Sequence, residues 1–133
     1  MRPNAGPRVS LLLDSHALLW ALHAPERLRP EAHDAIRDPE RAVYFSAASA
    51  WKLEIKAARG KLELPDDWLT AAERTGFLEI PVTAAEARHS ARLPWHHSDP
   101  FDRVLVAQAR RRSLQLATRD PLLSAYDITL LEV

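Results

Sequence analysis

Short apolar runs alternate with helical patterns along almost the whole chain, and this alternation limits the folds open to it. Five runs have strand-like composition, at 8–13, 43–45, 77–81, 114–118 and 128–131. Strands that alternate with helices predict an α/β fold, in which a parallel sheet carries helices on both faces. We expect one domain over 8–133, preceded by a flexible tail at 1–7 with two prolines and one glycine.

Helix start and stop signals fall between these runs. Ser46 is a suitable N-cap for a helix over 47–59, and Gly60 supplies its end. Thr83 and Glu86 have the spacing of a capping box. Similar signals predict further helices over 15–22, 30–37, 66–76 and 83–93, and one that begins at 99–100.

Composition excludes several classes of protein. The chain has 133 residues and no cysteine, so disulfides, zinc–thiolate sites and thiol nucleophiles are ruled out. It carries 18 basic and 18 acidic residues, so no overall positive field attracts nucleic acid. The basic clusters at 52–61 and 110–112 are interpreted as solvated helix faces. No apolar run approaches the ~18 residues of a membrane span, and we predict a soluble, cytoplasmic protein.

Four acids occupy positions where burial is expected. Asp14 ends the first strand, Glu54 lies within a helix, Asp102 falls in the first turn of another helix, and Asp120 follows the fourth strand. Ligands of open parallel sheets bind beyond the carboxyl ends of the strands. If the first and fourth strands are neighbours, these acids converge on one crevice, where a divalent cation can supply the counter-charge.

Glu54 is assigned to the buried face of its helix because Trp51, Ile55 and Ala58 follow a helical repeat around it. On this interpretation Lys52, Lys56 and Arg59 point largely away from the core. A structural salt bridge would explain a buried Glu54 equally well.

Capping is the alternative role for the other acids. Asp99 before Pro100 is a good N-cap, and Asp102 three residues later can belong to the same capping box or face the crevice. Asp120 before Pro121 can also be a cap. Ser15, Thr118 and Asp99 are candidate outer-shell groups that orient ligands. His97 is left open between capping and phosphate contact.

Oxygen ligands without cysteine favour Mg²⁺ or Mn²⁺. Such an ion can bind a phosphate oxygen and activate water for in-line attack. The metal ligands predicted from the sequence are therefore Asp14, Glu54, Asp102 and Asp120.

These residues resemble the PIN-domain ribonucleases, and in particular the VapC-type toxins of toxin–antitoxin pairs. The resemblance covers 9–133 and depends on segments 11–20, 46–55, 97–109 and 118–120, of which 97–109 is the most specific. It implies a PIN-like (Rossmann-like) three-layer fold with strand order 3-2-1-4-5. It also implies that the four acids bind metal and that RNA is cleaved to 5′-phosphate and 3′-hydroxyl ends. The implied partners are a second copy in a homodimer and a small antitoxin that covers the active-site groove.

Other functions fit the residues less well. An aspartyl phosphatase needs a second Asp where His16 stands, and a receiver domain needs a lysine near Glu132. The three glycines form no phosphate-binding loop, which disfavours a dinucleotide-binding enzyme. The remaining alternative is a non-catalytic PIN-like scaffold that binds RNA or protein.

Overall fold

The computed structural model describes residues 9–133. The tail predicted at 1–7 and the predicted start of the first strand at Arg8 lie outside this range. Within 9–133 there are five short strands: β1 (Leu11–Leu13), β2 (Val43–Ser46), β3 (Leu78–Ile80), β4 (Gln115–Thr118) and β5 (Leu130–Glu132). Each corresponds to a run predicted from the sequence, with ends shifted by up to three residues.

All neighbouring strands pair in parallel, in the order β3-β2-β1-β4-β5. This confirms the predicted fold class and strand order. The central strand β1 pairs with β2 on one side and β4 on the other, so that Leu13 is in register with Phe45 and Ala117. The carboxyl ends of β1 and β4 therefore lie side by side.

Six α-helices surround the sheet in the described part of the chain. They are α1 (Ser15–His23), α2 (Pro30–Ile36), α3 (Ala47–Ala58), α4 (Trp68–Thr75), α5 (Ala84–Ala91) and α6 (Pro100–Arg112). Two short 3₁₀ segments, Pro25–Arg27 and Pro121–Ala125, complete the elements. None of the helices within 9–133 is both long enough and apolar enough to cross a lipid bilayer.

The side chains of β1 alternate between two separate apolar cores, which divides the protein into three layers. Leu11 and Leu13 pack in the cluster that also contains Leu18 and Trp68, from α1 and α4. Leu12 packs in the other cluster, with Leu105 and further residues of α6. All three leucines are fully buried, as expected for the central strand of a parallel sheet.

The predicted helix ends at Gly76 and Thr83 are confirmed. Gly76 follows α4 with φ of 92°, a left-handed conformation that favours glycine. Thr83 accepts a hydrogen bond from the Glu86 backbone N–H, and Glu86 accepts one from the Thr83 N–H, which completes the capping box. The helix predicted to begin at Asp66 and Asp67 begins instead at Trp68.

Glu86 also joins α5 to α6. Its buried carboxylate accepts hydrogen bonds from Arg112 Nε at 2.7 Å and from Gln108 Nε2 at 3.2 Å. Burial alone would raise the pKa of Glu86, but the bonds from Arg112, Thr83 and Gln108 outweigh it and lower the pKa from 4.5 to about 2. The charged form of Glu86 therefore stabilises the contact between the two helices.

We expect Glu86→Gln to lower the free energy of unfolding at pH 7 by about 3 kcal/mol, because a pKa depression of this size corresponds to that energy. The contribution of Glu86 is complete above its unfolded pKa and is lost as the pH falls toward its folded pKa. The difference between the two proteins should therefore shrink between about pH 4.5 and pH 2. Urea unfolding across this pH range measures the difference in free energy of unfolding, with Glu79→Gln, at an exposed position, as control. A difference that does not change with pH would contradict the role of the Glu86 charge.

Candidate active site

A cavity of about 470 Å³ opens at the carboxyl ends of β1 and β4. Ten residues line it: Asp14, Ser15, His16, Lys52, His97, Asp99, Asp102, Arg119, Asp120 and Pro121. Three of the four predicted metal-binding acids therefore share one crevice, as the strand order required. Glu54, the fourth, does not line the cavity.

Asp14, Asp99 and Asp120 are each held by the start of the helical segment that follows them. The Asp14 carboxylate accepts from the Ala17 N–H at 2.8 Å, and that of Asp99 accepts from the Phe101 N–H at 2.8 Å. Asp120 accepts from the Leu122 N–H at 3.0 Å. The capping roles considered for Asp99 and Asp120 are confirmed, and capping also fixes these carboxylates at the cavity wall.

Glu54 was expected on the buried face of α3, and this expectation is wrong. Its side chain is exposed and its carboxylate accepts a hydrogen bond from Trp68 Nε1 at 2.7 Å. The inward stripe of α3 consists instead of Ala48, Ser49 and Leu53, while Trp51 is 65% exposed. The large indole of Trp51 suggested the wrong face of the helix.

Because the inward face of α3 differs from the predicted one, Lys52 lies in the cavity. From the sequence, Lys52 was expected on the outer face of the helix. Its Nζ atom lies 2.8 Å from Asp99 Oδ2 and 3.5 Å from Asp102 Oδ2. Burial lowers the pKa of Lys52, but the hydrogen bond to Asp99 and the charge of Asp102 outweigh it, and the pKa is raised. A charged ammonium group therefore sits among the acids.

His97 links the loop before α6 to the acids. Its ring Nδ1 accepts from the Asp99 N–H at 3.0 Å, and its Nε2 lies 2.7 Å from Asp120 Oδ2 and 3.5 Å from Asp102 Oδ2. A backbone N–H can only donate, so Nδ1 carries no proton and Nε2–H donates to Asp120. His97 thus positions Asp120, a role different from the capping and phosphate contact that were considered from the sequence.

The loop that carries His97 is fastened by a buried arginine of α6. Arg103, 2% exposed, donates from Nη2 to the carbonyls of Ser90 and Leu93, and from Nη1 to those of Pro94 and His97. Its guanidinium also lies 3.7 Å from the ring centre of Trp95. This arrangement fixes the path of the chain from the end of α5 to the start of α6.

The cavity holds its acids in unequal electrostatic environments. Burial raises the pKa of Asp14, against hydrogen bonds from the Ala17 N–H and Thr118. Burial also raises the pKa of Asp102. The charge of Lys52 lowers this pKa, but the negative charges of Asp99 and Asp14 raise it again. For Asp99 and Asp120, the bonds from Lys52 and His97 outweigh burial, and both pKa values are lowered. Asp14 and Asp102 are thus the two acids whose charged forms burial disfavours, despite the nearby Lys52.

The remaining predicted outer-shell residues lie beside the acids. Ser15 is buried and lines the cavity, and Thr118 Oγ1 accepts from the Asp120 N–H at 3.1 Å. The cavity wall also includes His16 and Arg119, which the sequence did not single out. The Arg119 guanidinium lies 5.0 Å from the ring centre of Trp20.

The donor set fits a divalent cation. Carboxylate oxygens of Asp102 and Asp120 lie within 4.8 Å of each other and of His97 Nε2. Because His97 Nε2 donates its proton to Asp120, the carboxylates and not the imidazole offer ligand atoms. Carboxylate oxygens are the ligands that Mg²⁺ and Mn²⁺ prefer, and the raised pKa values of Asp14 and Asp102 indicate acids that need a counter-charge. Lys52 supplies part of that charge at Asp99 and Asp102, so the site is only partly compensated.

Several solved structures have the same fold at low sequence identity. VapC20 of Mycobacterium tuberculosis, described as a toxin that cleaves the sarcin–ricin loop, matches with a TM-score of 0.64 and 19% identity over 93% of this chain and 98% of that one. VapBC2 of Rickettsia felis, bound to a promoter DNA fragment, has a TM-score of 0.66 and 10% sequence identity over 91% of this chain and 96% of that one. FitAcB of Neisseria gonorrhoeae has a TM-score of 0.56 and 22% sequence identity over 92% of this chain and 96% of that one.

No curated protein matches the chain. The family model for the PIN domain matches residues 11–128. This range includes strands β1 to β4 and every residue that lines the acidic cavity. Because this match spans most of the sequence, the chain belongs to the PIN domain family.

Proposed function

We propose that this protein is a metal-dependent endoribonuclease and the toxin of a toxin–antitoxin pair. The observation that carries the proposal is the convergence of Asp14, Asp102 and Asp120 in one open cavity at the ends of β1 and β4. Acids with perturbed pKa values in a cleft are typical of functional sites. Membership of the PIN domain family supports a nuclease.

Asp14, Asp102 and Asp120 would hold Mg²⁺ or Mn²⁺. When bound, such an ion polarises a phosphate oxygen and makes water more acidic. The chain's own residues fix the ligands: backbone N–H groups hold Asp14 and Asp120, and His97 Nε2–H orients the second oxygen of Asp120. We leave Glu54 out of the proposed ligand set because its carboxylate is bonded to Trp68 outside the cavity.

An RNA substrate is supported by the groove beside the cavity. Lys56, Arg59 and Lys61 line this groove together with Phe101, and Lys52 and Asp99 belong to both walls. Basic side chains next to an aromatic ring suit a single strand, whose phosphates and bases they contact. The description of VapC20 as a sarcin–ricin loop cleaving toxin supports the same substrate class. We propose hydrolysis that leaves a 5′-phosphate and a 3′-hydroxyl.

A protein partner is supported by Trp51. Its indole is 65% exposed and packs edge-on against Phe101, with ring centres 5.3 Å apart, next to the basic groove. A large exposed aromatic side chain beside a charged rim is typical of protein interfaces. We propose that a small antitoxin covers this face and the cavity, and that the toxin forms a homodimer.

The alternative function, a non-catalytic scaffold, is favoured by one observation. Lys52 already supplies one positive charge to Asp99 and Asp102 without any metal ion, so part of the counter-charge comes from the protein itself. A scaffold would keep the fold and the groove but bind divalent ions weakly and leave RNA intact.

Cleavage of mixed cellular RNA tests the proposed function. The protein is stripped of any co-purified partner under denaturing conditions, refolded, and incubated with RNA in Mn²⁺ or in EDTA. We expect fragments with 5′-phosphate ends in Mn²⁺ only, and none from Asp14→Asn purified in parallel. Cutting that persists in EDTA or in the variant would contradict the metal mechanism, and no cutting with any RNA would favour the scaffold.

A further inference from the structure

The most unusual group in the acidic cavity is the ammonium of Lys52. Its side chain is 14% exposed, although lysines are almost never buried without a partner. The Nζ atom lies 2.8 Å from Asp99 Oδ2 and 3.5 Å from Asp102 Oδ2, and so contacts an N-cap of α6 and an acid of the proposed metal site. The lysine reaches both acids from a different helix, α3.

We infer that Lys52 is a built-in counter-cation of this cavity, which holds the acids together without metal and competes with a divalent ion for Asp102. This inference rests on the proposed function, because it concerns the same site. It differs from the proposal that the acids simply await a metal: one position of the cavity already carries a positive charge that the protein supplies itself.

Coulomb repulsion gives the expected size of the competition. An ammonium and a divalent ion that share Asp102 lie only a few ångströms apart. Even one pair of unit charges about 4 Å apart interacts by between about 1 and 4 kcal/mol over effective dielectric constants from 80 to 20. Removal of the ammonium charge should therefore tighten divalent-ion binding by about tenfold or more.

The lysine need not leave the cavity for a metal to bind. Its stronger contact is with Asp99, whose other oxygen is committed to the Phe101 N–H. Lys52 can therefore stay bonded to Asp99 while its weaker contact with Asp102 is broken. Divalent-ion binding should then change the surroundings of Lys52 measurably without unfolding α3.

Calorimetric titration of metal-free protein with Mn²⁺ tests the inference without any RNA. We expect Lys52→Gln to bind Mn²⁺ at least about tenfold more tightly than the unmodified chain, for the electrostatic reason above. Lys56→Gln is the matched control: it removes the same charge one turn further along α3, in the neighbouring groove. Its affinity should stay within about twofold of the unmodified chain.

A second measurement uses the unmodified chain and so does not depend on the variant's folding. The sequence contains three lysines, Lys52, Lys56 and Lys61. With ¹³C-labelled lysine, Lys56→Gln and Lys61→Gln assign two of the ε-carbon signals, and the third belongs to Lys52. The signals of the unmodified chain are then followed during titration with diamagnetic Mg²⁺. We expect the Lys52 signal to move and saturate, while the Lys56 and Lys61 signals stay nearly constant.

The outcomes separate this inference from the proposed function. If Mn²⁺ binds but Lys52→Gln binds it no more tightly than Lys56→Gln does, the counter-cation role is wrong and the metal site stands. Weaker binding by Lys52→Gln would also overturn the inference, since Lys52 would then organise the ligands. If neither the unmodified chain nor Lys52→Gln binds Mn²⁺, both the inference and the metal-dependent function fail.

Discussion

Asp14→Asn is expected to reduce RNA cleavage by about 10³-fold or more while the fold persists. In the proposed mechanism Asp14 holds the catalytic ion, so its loss would remove several kcal/mol of transition-state stabilisation, and each 1.36 kcal/mol corresponds to a factor of ten. Asparagine retains the side-chain oxygen that accepts from the Ala17 N–H, so the cap of α1 survives. Initial cleavage rates in Mn²⁺ measure the effect.

The same variant should be at least as stable as the unmodified protein in EDTA. Because burial raises the pKa of Asp14, its charged form costs stability at pH 7. This cost shrinks as the pH falls below the folded pKa and is absent only below the unfolded pKa. The stability gained by asparagine should therefore shrink as the pH is lowered. Asp66→Asn, on the exposed segment before α4, is the control and should change neither property. Full activity in Asp14→Asn would remove Asp14 from the active site.

Arg103→Met should produce the largest loss of stability, about 4 kcal/mol in the free energy of unfolding. The substitution keeps an apolar stem but deletes the guanidinium, which donates to four carbonyl oxygens. Two of these, of Pro94 and Ser90, keep another donor. Hydrogen bonds to charged groups contribute about 1.5–3 kcal/mol each, and buried acceptors left unpaired cost a further 1–3 kcal/mol, although these effects are not additive. Equilibrium urea unfolding measures the change.

Two further variants show whether the geometry of Arg103 matters or only its charge. Arg103→Lys keeps the charge but loses the planar fork, so we expect it to recover less than half of the lost stability. Arg110→Met removes an exposed arginine from the same helix and should change stability by less than about 0.5 kcal/mol. If Arg103→Met costs no more than Arg110→Met, the arginine does not fasten the loop.

The sheet could be predicted because its signals are local. The run 11–13 is apolar throughout, as a strand buried on both faces requires, and Thr83 with Glu86 marks a helix start within four residues. The strand order came from the family resemblance, and the sequence did not contain enough information to choose it otherwise. The observed strands are shorter than the predicted ones at 9–10 and 128–129. The carbonyls of Ser10 and Thr129 still accept backbone hydrogen bonds from β4, at 3.0 and 2.9 Å, so these residues flank the strands.

The positions of the acids that follow strands could also be predicted. Asp14 directly follows β1, so the sheet fixes its place at the carboxyl ends of the strands. The face of α3 could not be predicted, because Trp51 made the outer stripe look apolar, whereas the core accepts only the smaller Ala48, Ser49 and Leu53. The prediction gave too much weight to the apolar character of Trp51. As a result it placed Glu54 inside and Lys52 outside, whereas in the structure Glu54 is exposed and Lys52 lines the cavity.

The role of His97 could not be read from the sequence either, since it depends on the path of the loop from α5 to α6. That path is set by Arg103, 6 residues further on, and by the Tyr126 hydroxyl, which accepts from the His97 N–H across 29 residues. Contacts of this kind follow from tertiary packing and leave no periodic signal.

The edge-on contact between Trp51 and Phe101 gives the protein an optical reporter of its own. The two rings belong to α3 and α6, the same two helices that the bond between Lys52 and Asp99 connects. A divalent ion that binds beside that bond is expected to change the electric field at the exposed indole. Fluorescence of Trp51, isolated by comparison with Trp51→Phe, would let an experimenter follow the cavity in real time, without a label and without a substrate.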